Sequence, residues 1–280
     1  MNPSRVPHAH PATREPASRR AISLATDALS RRRFLASGIG ALLLPALPAC
    51  FGRGPTAADA PSDARIRARP GSPEGEPVVG ESPLGLEAGR DGFLYVPGSY
   101  APTTPAPLLV VLHGAGGSSG DWRGVLDKAG ARGFLVLGVD SRGRTWDRVR
   151  GDFGPDVAFL DAALARTFLQ CAVDPRRVGL AGFSDGASYA LSLGVGNGDL
   201  FTHLVAFSPG FMDSGPTLVG KPRVFVSHGT GDPVLSVAAS RERIVPVLRD
   251  AGYDVTYREF EGGHTVPAPV FDEALDWFLG

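Results

Sequence analysis

Short apolar runs separated by longer amphipathic stretches constrain the fold of this chain more than any other feature. Five such runs occur between residues 108 and 227. They are Leu108–Leu112, Phe134–Val139, Arg177–Ala181, Leu204–Phe207 and Arg223–Ser227. Continuous apolar runs of this length are typical of parallel strands that are buried on both faces. The alternation therefore predicts an α/β domain, in which helices cover both faces of a mostly parallel sheet.

The segments on either side of these runs predict the edges of the sheet. Leu84–Leu86 and Gly92–Val96 resemble an antiparallel hairpin at one edge. Val255–Phe260 alternates apolar with polar residues, as expected for a less buried strand towards the other edge. The stretch 236–251 is predicted to be helical, with Pro246 bending or dividing it.

The N-terminal region is typical of an export signal. Ser30–Leu35 pairs arginines with Phe-Leu, as in twin-arginine signals, and an apolar run over 36–49 follows it. Leu47–Cys50 resembles a bacterial lipobox, whose cysteine becomes acylated as the new N-terminus. Residues 1–50 are therefore predicted to be a signal peptide, and an acylated Cys50 would hold an exported periplasmic or cell-envelope protein at a membrane surface. The alternative is cleavage near Ala49 by an ordinary signal peptidase, which would release a soluble periplasmic protein.

Composition sets the remaining boundaries. Residues 51–82 are rich in Pro, Gly, Ala, Ser, Asp and Arg, so they are predicted to be a flexible linker before a folded domain over 83–280. A net charge of -1 gives no reason to expect a nucleic-acid partner. With only two cysteines, Cys50 and Cys171, a disulfide framework is excluded, and Cys171 is interpreted as a small buried residue.

The most informative motif is the Gly-x-Ser-x-Gly pentapeptide Gly182–Gly186. It follows a predicted strand and precedes a segment compatible with a helix, which is the context that makes this motif credible. A serine on such a sharp turn projects above the sheet, and the two glycines allow strand and helix to approach closely. The alternative is a glycine-rich turn with an incidental serine. The context favours Ser184 as a nucleophile.

Two loops after later strands supply a candidate acid and base. Asp232 follows Arg223–Ser227, and His264 lies in a glycine-containing loop after Val255–Phe260. Both are expected at the rim where the parallel strands end, together with Ser184. His264 is predicted to be the general base and Asp232 to orient it. Alternatively, Asp232 only starts a turn before Pro233, and His264 is an ordinary loop residue.

The glycine-rich loop after Leu108–Leu112 is the candidate for binding an oxyanion. Backbone N–H groups of Ala115 and Asp185 are predicted to point at the developing negative charge, and Gly114 is expected to face the substrate. The loop lacks the Lys-Ser/Thr that would close a phosphate-binding loop. An ordinary strand-to-helix turn is the alternative. His113 and His228, which each end a strand before a glycine, are expected to shape loops.

Together these motifs resemble the bacterial phospholipase/carboxylesterase branch of the α/β-hydrolases, which includes polyhydroxybutyrate-depolymerase-like esterases. The segments that carry the resemblance are Leu112–Gly117, Asp140–Asp147, Gly182–Gly186, His228–Val234 and Gly263–His264. The resemblance implies an α/β-hydrolase fold and hydrolysis of small-molecule or polymeric carboxyl esters by a serine esterase, without a metal or organic cofactor. It leaves the oligomeric state open.

Two residues near the predicted site have open roles. Many members of the branch carry an uncharged residue after the serine, whereas this chain has Asp185, which should be harmless if it faces solvent or pairs with an arginine such as Arg142. Trp146 either forms a wall of the substrate pocket or packs under its loop.

The short connection between Phe207 and Arg223 predicts a fairly open site without a large lid. A thioesterase or peptidase on the same scaffold, or a non-catalytic surface lipoprotein, remains an alternative.

Overall fold

The computed structural model describes residues 64–213 and 217–280. The predicted signal peptide, Cys50 and the first part of the predicted linker lie outside the described residues. Within the described part, no helix is both long and apolar enough to cross a bilayer.

Eight strands form one sheet in the order β1-β2-β4-β3-β5-β6-β7-β8. They are β1 (Gly80–Pro83), β2 (Gly92–Val96), β3 (Ala106–Leu112), β4 (Leu135–Val139), β5 (Val173–Phe183), β6 (His203–Phe207), β7 (Arg223–Gly229) and β8 (Val255–Phe260). The pairs β1–β2 and β2–β4 are antiparallel, and all other neighbours are parallel. The predicted mostly parallel sheet is confirmed.

Helices connect the strands and cover both faces of the sheet. They are α1 (Leu126–Arg132), α2 (Asp147–Arg150), α3 (Pro155–Gln170), α4 (Asp185–Gly194), α5 (Val245–Asp250) and α6 (Ala268–Leu279). A 3₁₀ segment, Ser119–Val125, precedes α1, and a π-helical segment, Ala239–Ile244, precedes α5. The predicted helix in the 236–251 stretch is confirmed, and its π-helical part changes to α5 beside Pro246 without a break in the helix.

The core has two halves, one on each face of the sheet, and β3 contributes to both. Leu108, Val110 and Leu112 belong to the half that packs against α3, α4 and α5. Leu109 and Val111 belong to the half that packs against α1 and α6. Successive side chains of a strand point to opposite faces, so a strand between two helical layers has to be apolar throughout.

The chain forms a topological switch point between β3 and β5. From β3 it continues to β4 on one side, and it then crosses to β5 on the other side of β3. The loops that leave these adjacent strands diverge, so a crevice opens between them, and ligands of open α/β sheets bind there. The registers Leu112↔Gly182 and Phe183↔Phe207 bring the carboxyl ends of β3, β5 and β6 to one rim.

The first edge strand lies before the predicted one. Leu84–Leu86 was the predicted strand, whereas the observed strand β1 ends at Pro83. The reason is Asp91, whose carboxylate accepts hydrogen bonds from the backbone N–H groups of Gly85 and Leu86 at 2.7 and 3.1 Å. Those donors are therefore satisfied by a side chain and the backbone turns instead of continuing the ladder.

The predicted flexible linker differs from the structure over residues 64–82, which pack against the domain. Ile66 is only 1% exposed, and its N–H donates to Asn197 Oδ1 at 2.8 Å. The N–H groups of Arg67 and Ala68 both donate to Asp161 Oδ1. One buried isoleucine and polar side chains from distant parts of the sequence therefore fix a segment whose own composition is poor in apolar residues.

Candidate active site

Ser184 occupies a strained turn between β5 and α4. Its φ and ψ angles are 57° and -120°, a conformation that side-chain-bearing residues rarely adopt. A Cβ on Gly182 would lie 2.2 Å from the carbonyl oxygen of Gly186, so strand and helix could not meet if Gly182 had a side chain. The turn lifts the Ser184 hydroxyl above the sheet, as the motif predicts.

Three side chains that are distant in sequence meet at this turn. His264 Nε2 lies 2.9 Å from Ser184 Oγ, and His264 Nδ1 lies 2.6 Å from Asp232 Oδ2. A carboxylate only accepts hydrogen bonds, so Nδ1 carries the proton and donates it to Asp232. Nε2 is then free to accept the hydrogen bond of the Ser184 hydroxyl. The structure thus brings together all three predicted triad residues in an arrangement suited to proton transfer.

Close backbone approaches bring the Asp232 and His264 loops together. A Cβ on Gly229 would lie 2.4 Å from Gly263 O, so only glycine fits where the two loops cross. The N–H of Gly231 donates to Gly262 O at 2.9 Å. On the other side of the imidazole, the Phe183 ring packs against His264 with a centroid separation of 4.7 Å. The base is therefore held between the loop that carries the acid and the strand that carries the nucleophile.

Asp232 is held as a carboxylate although its side chain is fully buried. Burial by itself would raise its pKa, but hydrogen bonds from His264 and from the N–H groups of Leu235 and Val234 outweigh that effect. The pKa of Asp232 consequently lies below its ordinary value. Oδ1 accepts the two backbone donors at 2.8 and 2.9 Å, which leaves Oδ2 for the imidazole.

The glycine-rich loop after β3 runs beside the serine. A Cβ on Gly114 would lie 3.5 Å from Ser184 Cβ, and Ala115 is exposed at the rim. Asp185 is the first residue of α4, where backbone N–H groups have no intrahelical acceptor. The two predicted oxyanion donors therefore lie on the two segments that flank Ser184, with the positive end of the α4 dipole at one of them.

His113 and Arg90 support this loop from below. His113 is buried, and burial lowers its pKa. Its Nδ1 lies 2.6 Å from Gly114 O and its Nε2 accepts the N–H of Ser141 at 3.0 Å, so it shapes the loop as expected. Arg90 Nη2 donates to Gly117 O at 2.8 Å. Sequence reasoning missed Arg90, because no local pattern links the β1–β2 connection to a loop 27 residues away.

Asp185 does not pair with Arg142. Thr145 Oγ1 donates to Asp185 Oδ2 at 2.6 Å. Arg142 instead binds Glu87 at 2.6 Å, and its guanidinium lies 3.5 Å from the centroid of the Phe159 ring. The carboxylate beside the nucleophile is thus held by a hydroxyl group from the loop after β4.

Trp146 packs beneath its loop and does not form a wall of the site. It is 1% exposed, stacks on Tyr189 at a centroid distance of 4.9 Å, and donates from Nε1 to His113 O at 2.9 Å. The predicted substrate contact of Trp146 is therefore not supported, because a substrate at the open rim cannot reach it.

Cys171 is also buried, and burial raises the pKa of its thiol to about 12, as suits a packing residue.

Within residues 64–213 and 217–280, no group of three or more His, Cys, Asp or Glu side chains is arranged to hold a metal ion. The chemistry visible at the rim is a serine hydroxyl in line with an imidazole and a carboxylate, next to unpaired backbone donors. Such an arrangement can activate an oxygen nucleophile and stabilise an oxyanion.

Comparison with known proteins agrees with the α/β fold seen in the structure. Residues 109–279 match the model of the alpha/beta hydrolase family. Feruloyl esterase C of Emericella nidulans is 29% identical over 157 residues, covering 52% of this chain and 56% of that protein. The chain thus spans about half the length of the curated relatives it matches.

Two solved structures support the fold assignment. Esterase PE8 superposes with a TM-score of 0.56 at 24% identity, over 71% of this chain and 98% of that one. A phospholipase/carboxylesterase of Dyadobacter fermentans gives a TM-score of 0.51 at 18% identity, over 69% and 99% of the two chains. Both are similar to this chain in fold. The predicted resemblance to α/β-hydrolases is confirmed.

Proposed function

Because the chain belongs to the alpha/beta hydrolase family, we propose that it is a serine esterase that cleaves carboxyl esters through an acyl-enzyme. The observation that carries the proposal is the continuous relay Ser184 Oγ–His264–Asp232, with contacts of 2.9 and 2.6 Å. Feruloyl esterase C, which is 29% identical to this chain over 157 residues, supports the choice of an ester.

The proposed reaction begins with attack of Ser184 Oγ on the ester carbonyl carbon while His264 Nε2 takes the hydroxyl proton. The carbonyl oxygen gains negative charge and binds the N–H groups of Ala115 and Asp185. Asp232 stabilises the imidazolium. His264 then gives its proton to the alkoxy oxygen, and the carbon–oxygen bond breaks to release the alcohol.

Deacylation repeats these roles with water as the nucleophile. His264 takes a proton from water while the water oxygen attacks the acyl carbon. His264 then returns a proton to Ser184 Oγ as the carboxylic acid leaves. Each bond formed is balanced by one broken, and the enzyme returns to its starting state without a redox partner. The strained backbone of Ser184 keeps the hydroxyl in position for both half-reactions.

Replacement of the nucleophile tests this proposal. Ser184→Ala is expected to abolish turnover of a chromogenic short-chain ester and labelling by a fluorophosphonate probe. Ser236→Ala is the matched control, because Ser236 is exposed beyond Asp232 and does not contact the relay. Full activity of Ser184→Ala would overturn the proposal. Thioester or amide turnover well above ester turnover would favour the thioesterase or peptidase alternative, and slow labelling of the wild type would favour the non-catalytic lipoprotein.

Export and lipid anchoring are part of the same proposal. They are supported by the twin-arginine-like segment Ser30–Leu35 and by the lipobox-like Leu47–Cys50, which are typical of lipoproteins exported to the periplasm or cell envelope. The mass of the mature N-terminal peptide is expected to correspond to an acylated Cys50. A Cys50→Ala variant should leave the membrane fraction. An unmodified N-terminus close to residue 50 would instead support ordinary signal cleavage.

A further inference from the structure

Asp232 has a second histidine neighbour that the proposed relay does not use. His228 Nε2 lies 3.3 Å from Asp232 Oδ2, the oxygen that also accepts the hydrogen bond of His264 Nδ1. The side chains of His228 and Asp232 are both fully buried. Water therefore does not screen the contact, and each donor to this oxygen matters more than it would at the surface.

The surroundings of His228 determine which of its nitrogens carries the proton. Nε2 lies 2.8 Å from Leu235 O, and Nδ1 lies 2.7 Å from Ser240 Oγ. Both neighbours of Nε2, the Leu235 carbonyl and the Asp232 carboxylate, can only accept hydrogen bonds. Nε2 must therefore carry the hydrogen, and Nδ1 accepts the hydroxyl proton of Ser240.

We infer that His228 is a positioning residue that holds Asp232 Oδ2 towards His264, with its tautomer set by the two acceptors at Nε2 and its ring held by Ser240. The Nε2–H donates to Leu235 O, and Asp232 Oδ2 lies 3.3 Å from the same nitrogen. It thereby ties the end of β7 to the turn that carries the acid. The inference rests on the proposed function, because it assigns His228 a role through the triad.

This second contact has a physical purpose in the relay. Asp232 Oδ1 is fixed by two backbone donors, whereas Oδ2 would otherwise be held by His264 alone. His264 gains charge during the reaction, and its hydrogen bond is the only one that Oδ2 accepts from the described residues. The buried Nε2–H dipole of His228, 3.3 Å from Oδ2, limits rotation of the carboxylate when the imidazolium forms.

The other charged groups near His228 neutralise each other. Glu259 on β8 is the register partner of His228, and both its carboxylate oxygens bind Arg241, at 2.7 and 2.6 Å. Glu259 also accepts the Tyr257 hydroxyl at 2.8 Å. With Glu259 engaged by Arg241, the carboxylate next to the imidazole Nε2 of His228 is Asp232.

Three variants in the full-length chain separate positioning from packing. His228→Leu removes both ring nitrogens, and His228→Gln can place an N–H close to the Nε2 position. His203→Leu is the matched control, a buried histidine at the amino end of the neighbouring strand β6, away from the carboxyl ends that carry the site. His228→Leu is expected to lower kcat and the rate of fluorophosphonate labelling by roughly three- to tenfold with little change in KM, the loss expected of one neutral hydrogen bond.

His228→Gln should recover most of that loss, whereas His203→Leu should lower the melting temperature without lowering the labelling rate. The inference is overturned if His228→Leu labels as fast as the wild type, or if His228→Gln and His228→Leu lose rate equally. A failure of the proposed function gives a different result, in which Ser184→Ala retains activity or the wild type does not label.

Ser240 provides a test that leaves His228 unchanged. Ser240→Ala leaves the buried Nδ1 of His228 without its hydrogen-bond partner, so the ring is held less firmly and the labelling rate should fall severalfold. Nitrogen NMR of ¹⁵N-histidine-labelled protein, with His228 assigned by its loss in His228→Gln, should show protonation at Nε2 in the wild type. Protonation at Nδ1 alone would overturn the inference, whatever the activity of the variants.

Discussion

A side chain on Gly186 would collide with the backbone of Leu112, because its Cβ would lie 2.3 Å from the Leu112 carbonyl oxygen. The first turn of α4 thus rests directly on the end of β3. That contact sets the separation between the strand that leads into the oxyanion loop and the helix that begins beside Ser184. Both predicted oxyanion donors depend on it, since Ala115 follows β3 and Asp185 begins α4.

Gly186→Ala is expected to destabilise the domain by more than about 3 kcal/mol, the upper end for overpacking, because backbone atoms cannot move aside as a flexible side chain can. Urea unfolding measures the loss. Gly98→Ala is the control, since no atom lies within 4 Å of a Cβ at that position, and it should be neutral or slightly stabilising. Equal stability of the two variants would show that the β3–α4 contact is looser than described.

The Asp185 carboxylate beside the nucleophile predicts a charge preference for the substrate. Asp185→Asn should raise kcat/KM for an ester that carries a negative charge, by about fivefold at low salt, and should change a neutral ester much less. Asparagine can still accept the hydrogen bond from Thr145, so the loop is retained. Steady-state kinetics on a matched pair of esters measures the ratio. An equal effect on both esters would contradict an electrostatic role.

The buried position of Trp146 predicts a stability effect instead of a specificity effect. Trp146→Phe removes the Nε1 hydrogen bond to His113 O and leaves that carbonyl unsatisfied, which should cost about 1–3 kcal/mol. Trp122→Phe is the matched control, because Trp122 is buried and its Nε1 has no hydrogen-bond partner among the described residues. The difference between the two, measured by urea unfolding, isolates the hydrogen bond. A raised KM for Trp146→Phe without lost stability would restore the pocket-wall interpretation.

The sequence predicts the parts of this molecule that are set by local pattern. Five buried strands, the elbow at Ser184 and the order of Asp232 and His264 after it follow from apolar runs and glycine spacing, which act over a few residues. The position of β1 cannot be predicted from local pattern, because it depends on the hydrogen bonds from the backbone of Gly85 and Leu86 to Asp91. The partner of Asp185 cannot be predicted in this way either, since Thr145 lies 40 residues away in the chain.

The packing of residues 64–82 shows the same limit on a larger scale. Composition alone predicts a flexible linker, because the segment has few apolar residues. The segment is fixed by Asn197, which accepts from the N–H of Ile66 and donates to Ala64 O at 2.9 Å, and by a carboxylate on α3. The average composition of the segment does not reveal a single buried isoleucine or a few backbone groups that bind distant side chains.

His203 predicts how the stability of the domain depends on pH. Burial, together with the nearby charges of Arg223 and Arg177, lowers its pKa to about 4. Its ring packs edge-on against Trp277 and Phe278, at centroid distances of 5.2 and 5.4 Å. In the unfolded chain the same imidazole has its ordinary pKa near 6.5. Between these two values the unfolded state binds more protons, so acid favours unfolding.

The contribution of His203 to stability is therefore fully present above pH 6.5 and is lost as the pH falls towards 4. Between pH 7 and pH 4 the wild type should lose up to about 3 kcal/mol more unfolding free energy than His203→Phe, which has no proton to bind. Urea unfolding of both proteins at several pH values measures this difference. Other titrating groups, including the buried His113, are common to both proteins and cancel. Parallel stability curves would mean that His203 takes up its proton without unfolding, and would contradict the burial of its ring against α6.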